Sequence, residues 1–225
     1  MTDDLRSVEL MLFDLDGTLI DSKADLARSI NLMLEELGRP VLDEDAIAAF
    51  VGDGVRVLVY RSLTATAPDQ RPPNEFLHAD GIALMHKHYA EQMFVSTKLY
   101  PGIAETLEHF SAKRKALVTS KEVRFARLIL DRFGIEQYFD GIVGGDTVTE
   151  RKPDPTPVLE ATRLLGGRAR EAVMIGDSEN DINAGRRAGT ITCGVSYGFR
   201  TNEQLRKVAP DVLIERFEQL KDFFC

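Results

Sequence analysis

Cysteine is almost missing from this chain: only Cys193 and Cys225 occur among 225 residues. One lies in an expected strand and one at the C-terminus, which is neither a disulfide framework nor a zinc-ligand spacing. Histidine is scarce too. His78, His86, His88 and His109 suggest no ligand pattern, and His86 and His88, two residues apart, do not face each other on a helix. No apolar run approaches membrane-spanning length. The segment from Met1 to Glu9 is acidic and carries no signal-type apolar core, so the expectation is a cytoplasmic protein with no membrane partner. A basic excess is also lacking: 28 Lys and Arg face 36 Asp and Glu, for a net charge of -8. Nucleic acid is therefore excluded as an expected partner. A small anionic substrate is compatible with that charge if a metal or a few placed cations reverse the field locally. Nothing in the sequence speaks to oligomeric state.

The organisation that remains is α/β. Leu10-Met11-Leu12-Phe13 is an apolar run of strand length ended by Asp14-Leu15-Asp16-Gly17-Thr18-Leu19, which reads as a buried strand and a turn. From Asp21 to about Leu99 the texture becomes helical. Leu26, Ile30, Met33, Leu34 and Leu37 form a stripe closed by Gly38-Arg39-Pro40. Further helices are expected over 43–50, 55–63 and 74–94, the last two separated by Pro68, Pro72 and Pro73. Beyond Tyr100-Pro101-Gly102, helices and strands alternate. Helices are expected over 103–110, 123–133, 157–165 and 182–188, and strands over 116–118, 141–143, 172–175 and 191–195. Such alternation with short links predicts a parallel, Rossmann-like sheet that the first strand joins. The expected domains are a catalytic core of residues 1–19 and 100–225 and a helical insert of residues 20–99. The chain shows no internal repeat and no low-complexity segment.

Each core strand ends in a chemically useful group. Asp14 and Asp16 follow the first strand, where open α/β sheets bind ligands. They supply one carboxylate fit for a nucleophile or metal ligand and a second for moving a proton. Read alone, the pair is equally an Asp-Gly turn. Thr119-Ser120 ends the next strand, as an anion site or as an ordinary helix N-cap. Lys152 stands in Arg151-Lys152-Pro153-Asp154-Pro155, where the prolines stiffen the loop around a lone cation able to pair with a phosphate. Ile175-Gly176-Asp177-Ser178-Glu179-Asn180-Asp181 ends another strand. Asp177 and Asp181, four apart, are expected to share a helical face, where they repel unless a cation lies between them. A parallel sheet gathers all of these at one edge. Oxygen ligands, one ammonium and hydroxyl or N–H donors suit magnesium and phosphoryl transfer.

Asp14-Leu15-Asp16-Gly17-Thr18, Thr119, Lys152 and Gly176-Asp177 with Asp181 resemble the four motifs of the haloacid dehalogenase superfamily, over nearly the whole chain. Val143-Gly144-Gly145-Asp146 and the segments around Lys152 and Asp177 are most similar to phosphoglycolate phosphatases, and the helical insert resembles that superfamily's α-helical cap. The resemblance implies that Asp14 is a nucleophile forming an aspartyl-phosphate. Asp16 then protonates the leaving group and later activates water, while Thr119 and Lys152 hold phosphoryl oxygens. By the same resemblance magnesium is expected to be held by the Asp14 carboxylate, the Asp16 main-chain carbonyl and Asp177, with Asp181 helping directly or through water. Physical chemistry agrees that Asp14, beside a dication and Lys152, stays ionised, whereas Asp16 is free to carry a proton.

Ser120 stands where many relatives show Asn, so its backbone, more than its side chain, is the expected donor. In the insert, Val51-Gly52-Asp53-Gly54-Val55-Arg56 is similar to a cap segment that reaches over the active site in relatives. Arg56 is read as a contact for a substrate carboxylate, or else as an exposed helix arginine. The expected activity is magnesium-dependent hydrolysis of a small phosphate ester, with 2-phosphoglycolate foremost. The alternatives are a phosphatase of sugar phosphates or pyrophosphate, a sugar phosphomutase, or a catalytically silent binding module of the same fold. A dehalogenase would need neither the proton-handling Asp16 nor the cation ligand Asp177.

Overall fold

The computed structural model describes residues 6–225. Two compact units divide the chain: one runs up to Ile20 and resumes over Leu99–Cys225, and the other is Asp21–Lys98. In the first unit β1 (Leu10–Phe13) is buried at every position, as a central parallel strand covered on both faces has to be. β2 (Ile20–Asp21) leads into the second unit, and β3 (Lys98–Leu99), which pairs with it, leads out.

The second unit is helical, with α1 (Lys23–Glu36), α2 (Glu44–Phe50), α3 (Val55–Ala65) and α4 (Glu75–Gln92). Asp43 and Asn74 start α2 and α4 as N-caps, their side chains accepting from the N–H groups of Ala46 and Leu77, which satisfies donors a helix start otherwise leaves orphaned. Leu37, one of the five residues of the expected stripe, is the half-buried C-cap of α1, and the other four, Leu26, Ile30, Met33 and Leu34, are buried. They pack toward α4, which buries Met85 and Tyr89.

The first unit continues with α5 (Ile103–His109), β4 (Arg114–Val118), α6 (Val123–Arg132), β5 (Gly141–Val143), α7 (Thr156–Leu164), β6 (Ala172–Gly176), α8 (Glu179–Ala188) and β7 (Ile191–Val195). It closes with α9 (Asn202–Val208), β8 (Val212–Ile214) and α10 (Leu220–Phe223). These last three elements carry too little periodicity to be foreseen, since α9 buries Leu205 alone and β8 is three residues long.

Six strands pair in parallel in the order β5-β4-β1-β6-β7-β8, so the chain forms a Rossmann-like α/β sheet. The order reverses beside β1, and the crevice at such a reversal, beyond the carboxyl ends of the strands, is where open sheets bind ligands. Register matters here. Phe13 is level with both Leu117 of β4 and Ile175 of β6, so the segments after these three strands leave the sheet at one height. Leu10 and Leu12 face a cluster with Val158, Ala161 and Met174. On the other face Phe13 meets the rings of Phe139 and Phe217 at 6.0 and 5.9 Å. Each such fully buried Leu or Phe stabilises the fold by roughly 1.5–3 kcal/mol, which gives the strand ends a rigid base.

Candidate active site

The sheet ladder places Asp14: its N–H donates to the Ile175 carbonyl at 2.9 Å, directly beyond the paired ends of β1 and β6. Lys152 reaches it from the Arg151–Pro155 loop, in which the Lys152–Pro153 peptide is cis. The buried Nζ donates to Asp14 Oδ1 at 2.8 Å, to Asp181 Oδ1 at 2.6 Å and to the Val118 carbonyl at 2.7 Å. Asp181 is the third residue of α8. Its Oδ2 accepts from the N–H and Oγ of Ser178 at 3.1 and 2.6 Å, and Ser178 Oγ accepts in return from the Asp181 N–H, a reciprocal capping box.

Because Ser178 is the N-cap, Asp177 lies in the turn before α8. The expectation that Asp177 and Asp181 share a helical face is thereby corrected: the helix begins between them. Asp181 is turned to Lys152, while Asp177 Oδ2 accepts from the Phe199 N–H at 2.6 Å. Ligand oxygens of Asp14, Asp177 and Asp181 nonetheless all lie within 4.8 Å of one another, and all three residues are buried.

Charge is poorly balanced in this cluster. Burial pushes the Asp14 carboxyl up to about 7; the charges of Asp181 and Asp16 add to the rise and Lys152 opposes it. Burial likewise raises Asp177 well above the usual carboxylate range, with Asp14 and Asp181 contributing. For Lys152, burial favours loss of the proton, but the attraction of Asp14 and Asp181 outweighs it and holds the ammonium charged. Lys152 at Asp14, and Arg200 with the Phe199 N–H at Asp177, oppose these rises without cancelling them. A hard divalent cation fits the donor set, which offers carboxylate oxygens and no sulfur or imidazole. Lys152 and Ser178 already engage both oxygens of Asp181, which leaves Asp14 and Asp177 as the carboxylates better disposed toward a metal.

The Thr119 N–H donates to the Val143 carbonyl at 2.9 Å, and its hydroxyl accepts from the Lys121 N–H at 3.2 Å. The N-cap of α6 is Glu122, with no side-chain cap. Thr119 and half-buried Ser120 thus form a turn at the end of β4, which removes the ordinary N-cap reading. Lys121 escaped the sequence reading: its Nζ lies 3.1 Å from Asp16 Oδ2, both side chains being largely enclosed. A lysine directly after a strand-end Thr-Ser was the available signal, but its partner is 105 positions earlier (121 − 16). Arg56 belongs to the helical unit, where it is exposed on the first turn of α3 and its carbonyl is 2.8 Å from His78 Nε2. His88, with Nε2 at 2.8 Å from Glu36 Oε2, is in hydrogen-bond contact within the same unit.

An acid at the end of β1, a lysine bridging two carboxylates and a second acid after β6 are brought together here, and these are the residues that carry the resemblance to the haloacid dehalogenase superfamily. Residues 11–195 match the family of haloacid dehalogenase-like hydrolases, and the chain belongs to it. More narrowly, it is a phosphatase. It is 36% identical over 218 residues, 96% of each chain, to the phosphoglycolate phosphatase of Colwellia psychrerythraea. It is 38% identical over 212 residues, 93% of each chain, to that of Aquifex aeolicus. The crystal structure of a predicted phosphoglycolate phosphatase from Haemophilus somnus is similar with a TM-score of 0.90 and 31% identity, covering 96% of this chain and 97% of that one. No helix among the described residues is long and apolar enough to cross a membrane.

Proposed function

We propose that this phosphatase is magnesium-dependent, works through an aspartyl-phosphate on Asp14, and acts in the cytoplasm on 2-phosphoglycolate or a similarly small anionic phosphate ester. The observation that carries this reading is Lys152 lodged between Asp14 and Asp181 beside Asp177, a buried site with more negative charge than its own lysine balances. Magnesium bound by the Asp14 carboxylate, the Asp16 main-chain carbonyl and Asp177 would supply charge that offsets repulsion between a carboxylate nucleophile and a phosphate.

Asp14 attacks phosphorus, the Asp14–phosphorus bond forming as the bond to the ester oxygen breaks. Asp16 donates a proton to that departing oxygen, then takes one from the water that attacks the phosphoenzyme and releases Asp14 and inorganic phosphate. Lys152, held at the correct place by Asp181, pairs with the phosphoryl oxygens together with Thr119 and the backbone of Ser120. Charge spreads over three oxygens in such a transition state, so fixed donors of this kind do much of the work. The helical unit acts as a cap, with Arg56 meeting the substrate carboxylate. The homology to phosphoglycolate phosphatases supports that substrate class.

The test is steady-state hydrolysis of phosphoglycolate, sugar phosphates, pyrophosphate and a neutral-tailed aryl phosphate, with Mg2+ and with EDTA. Acid-quenched enzyme is then digested to find the phosphorylated peptide. EDTA-sensitive activity that is highest on phosphoglycolate, with phosphate on the Asp14 peptide, is the expected result. A preference for sugar phosphates or pyrophosphate would reassign the substrate, and hydrolysis insensitive to EDTA would remove the metal.

A further inference from the structure

The loop after β7, Tyr197-Gly198-Phe199-Arg200, lies outside every strand-end motif and yet touches two of them. The hydroxyl of half-buried Tyr197 donates to the Thr18 carbonyl at 2.9 Å, and its ring packs on Tyr100 with 4.7 Å between centroids. The Phe199 N–H fixes Asp177 Oδ2 at 2.6 Å. Between these two contacts, Gly198 sits so close that a Cβ would run into the Gly17 carbonyl and the Asp177 side chain. Gly17, at φ +85°, leaves no room for a Cβ against Asp177 either. Arg200, also buried, anchors the far end with Nε 3.3 Å from Glu179. The Asp177 carboxylate therefore stands in a slot between two glycine backbones, one oxygen already held.

We infer that this loop is a strap that sets Asp177 and the turn after β1 in register for a divalent cation, with Tyr197 and Gly198 as positioning residues. The inference rests on the metal reading above. Tyr197 couples the turn after β1 to the loop after β7, so the Asp16 main chain and the Asp177 carboxylate keep a fixed separation. Phe199 uses one Asp177 oxygen and leaves the other to a cation. Groups of this outer kind orient metal ligands, and losing one typically costs about 10–100-fold in metal affinity.

The experiment measures Mn2+ binding to the full chain by electron paramagnetic resonance, with Mg2+ as competitor and no substrate, alongside the melting temperature without metal. Tyr197→Phe, which keeps the ring and removes one neutral hydrogen bond, is expected to weaken Mg2+ about three- to tenfold. Gly198→Ala is expected to weaken it about 10–100-fold. If Gly198→Ala fails to fold, Tyr197→Phe decides alone. A lowered melting temperature with unchanged Mg2+ affinity would mean that the loop only supports the fold, and the inference falls. Wild-type protein that binds no Mn2+ would instead defeat the metal reading, and the strap with it.

Discussion

Asp14 at the end of β1 and Asp25 on α1 are both buried carboxylates, and they are compensated in opposite ways. Asp25 is saturated: Ser96 N–H, Thr97 N–H and Thr97 Oγ1 donate to it at 2.8–3.0 Å, and Arg28 lies at 3.2 Å. It pins residues 96 and 97, where the helical unit ends, back onto the helix with which it begins. Asp14 shares a single ammonium with Asp181 and has Asp177 close by. Burial alone thus says little about role. A buried acid surrounded by enough donors is a fastening, whereas a buried acid short of positive charge is a candidate for binding a cation or a phosphoryl group.

That contrast can be broken by substitution, and the largest effect belongs to Asp14. Asp14→Asn is expected to abolish turnover on every phosphate ester while thermal unfolding shows no loss of stability, because the change removes charge from an over-anionic cluster. Steady-state activity in a preparation that mass spectrometry shows to be free of deamidation would contradict this. Asp16→Asn is expected to lower kcat by about 10²–10⁴-fold, the usual worth of a general acid or base, with Mg2+ affinity nearly unchanged. A loss of Mg2+ binding with kcat preserved would instead make its side chain a metal ligand.

Asp25→Ala is the converse experiment. It orphans two buried donors, the N–H and Oγ1 of Thr97, and at about 1–3 kcal/mol for each the unfolding free energy is expected to drop by roughly 2–6 kcal/mol, the part-buried Ser96 N–H being able to turn to water. Urea denaturation measures it, and a drop below 1 kcal/mol would show that the clamp matters little. Arg56→Ala is expected to reduce kcat/KM on phosphoglycolate by about 1.5–3 kcal/mol, the value of a charge-assisted hydrogen bond, and to spare a neutral-tailed aryl phosphate. Equal losses on both substrates would make it a structural residue or a phosphate contact.

The smallest effect is on pH dependence. Burial raises Asp14 to about 7 and moves Asp177 the same way, so at intermediate pH the folded metal-free protein holds protons that the unfolded chain has released. Stability then falls as pH rises through that window. Without metal the melting temperature is expected to decline from about pH 5 to about pH 7.5, and Mg2+ to restore more of it at the upper end. A flat profile would show that the cluster is better compensated than its geometry indicates.

Local pattern determined much of this protein. Four apolar residues before Asp14, the stripe from Leu26 to Leu34 and the alternation after Gly102 are written in neighbouring positions, because helix and strand periods, caps and turn residues act over a few residues. The polar strand ends were legible for the same reason: a parallel sheet collects whatever follows its strands. Tertiary structure alone decided which partner each polar group receives. The pairing of Lys121 with Asp16, the turn of Asp181 toward Lys152, the clamp on Asp25 and the strap over Asp177 join residues distant in sequence. Several of their donors are plain backbone N–H groups, as at Ser96, Thr97 and Phe199, which every residue but proline possesses and no residue type announces. Whether a buried carboxylate becomes a fastening or a reactive group depends on that count of donors, and the count exists only once the chain has folded.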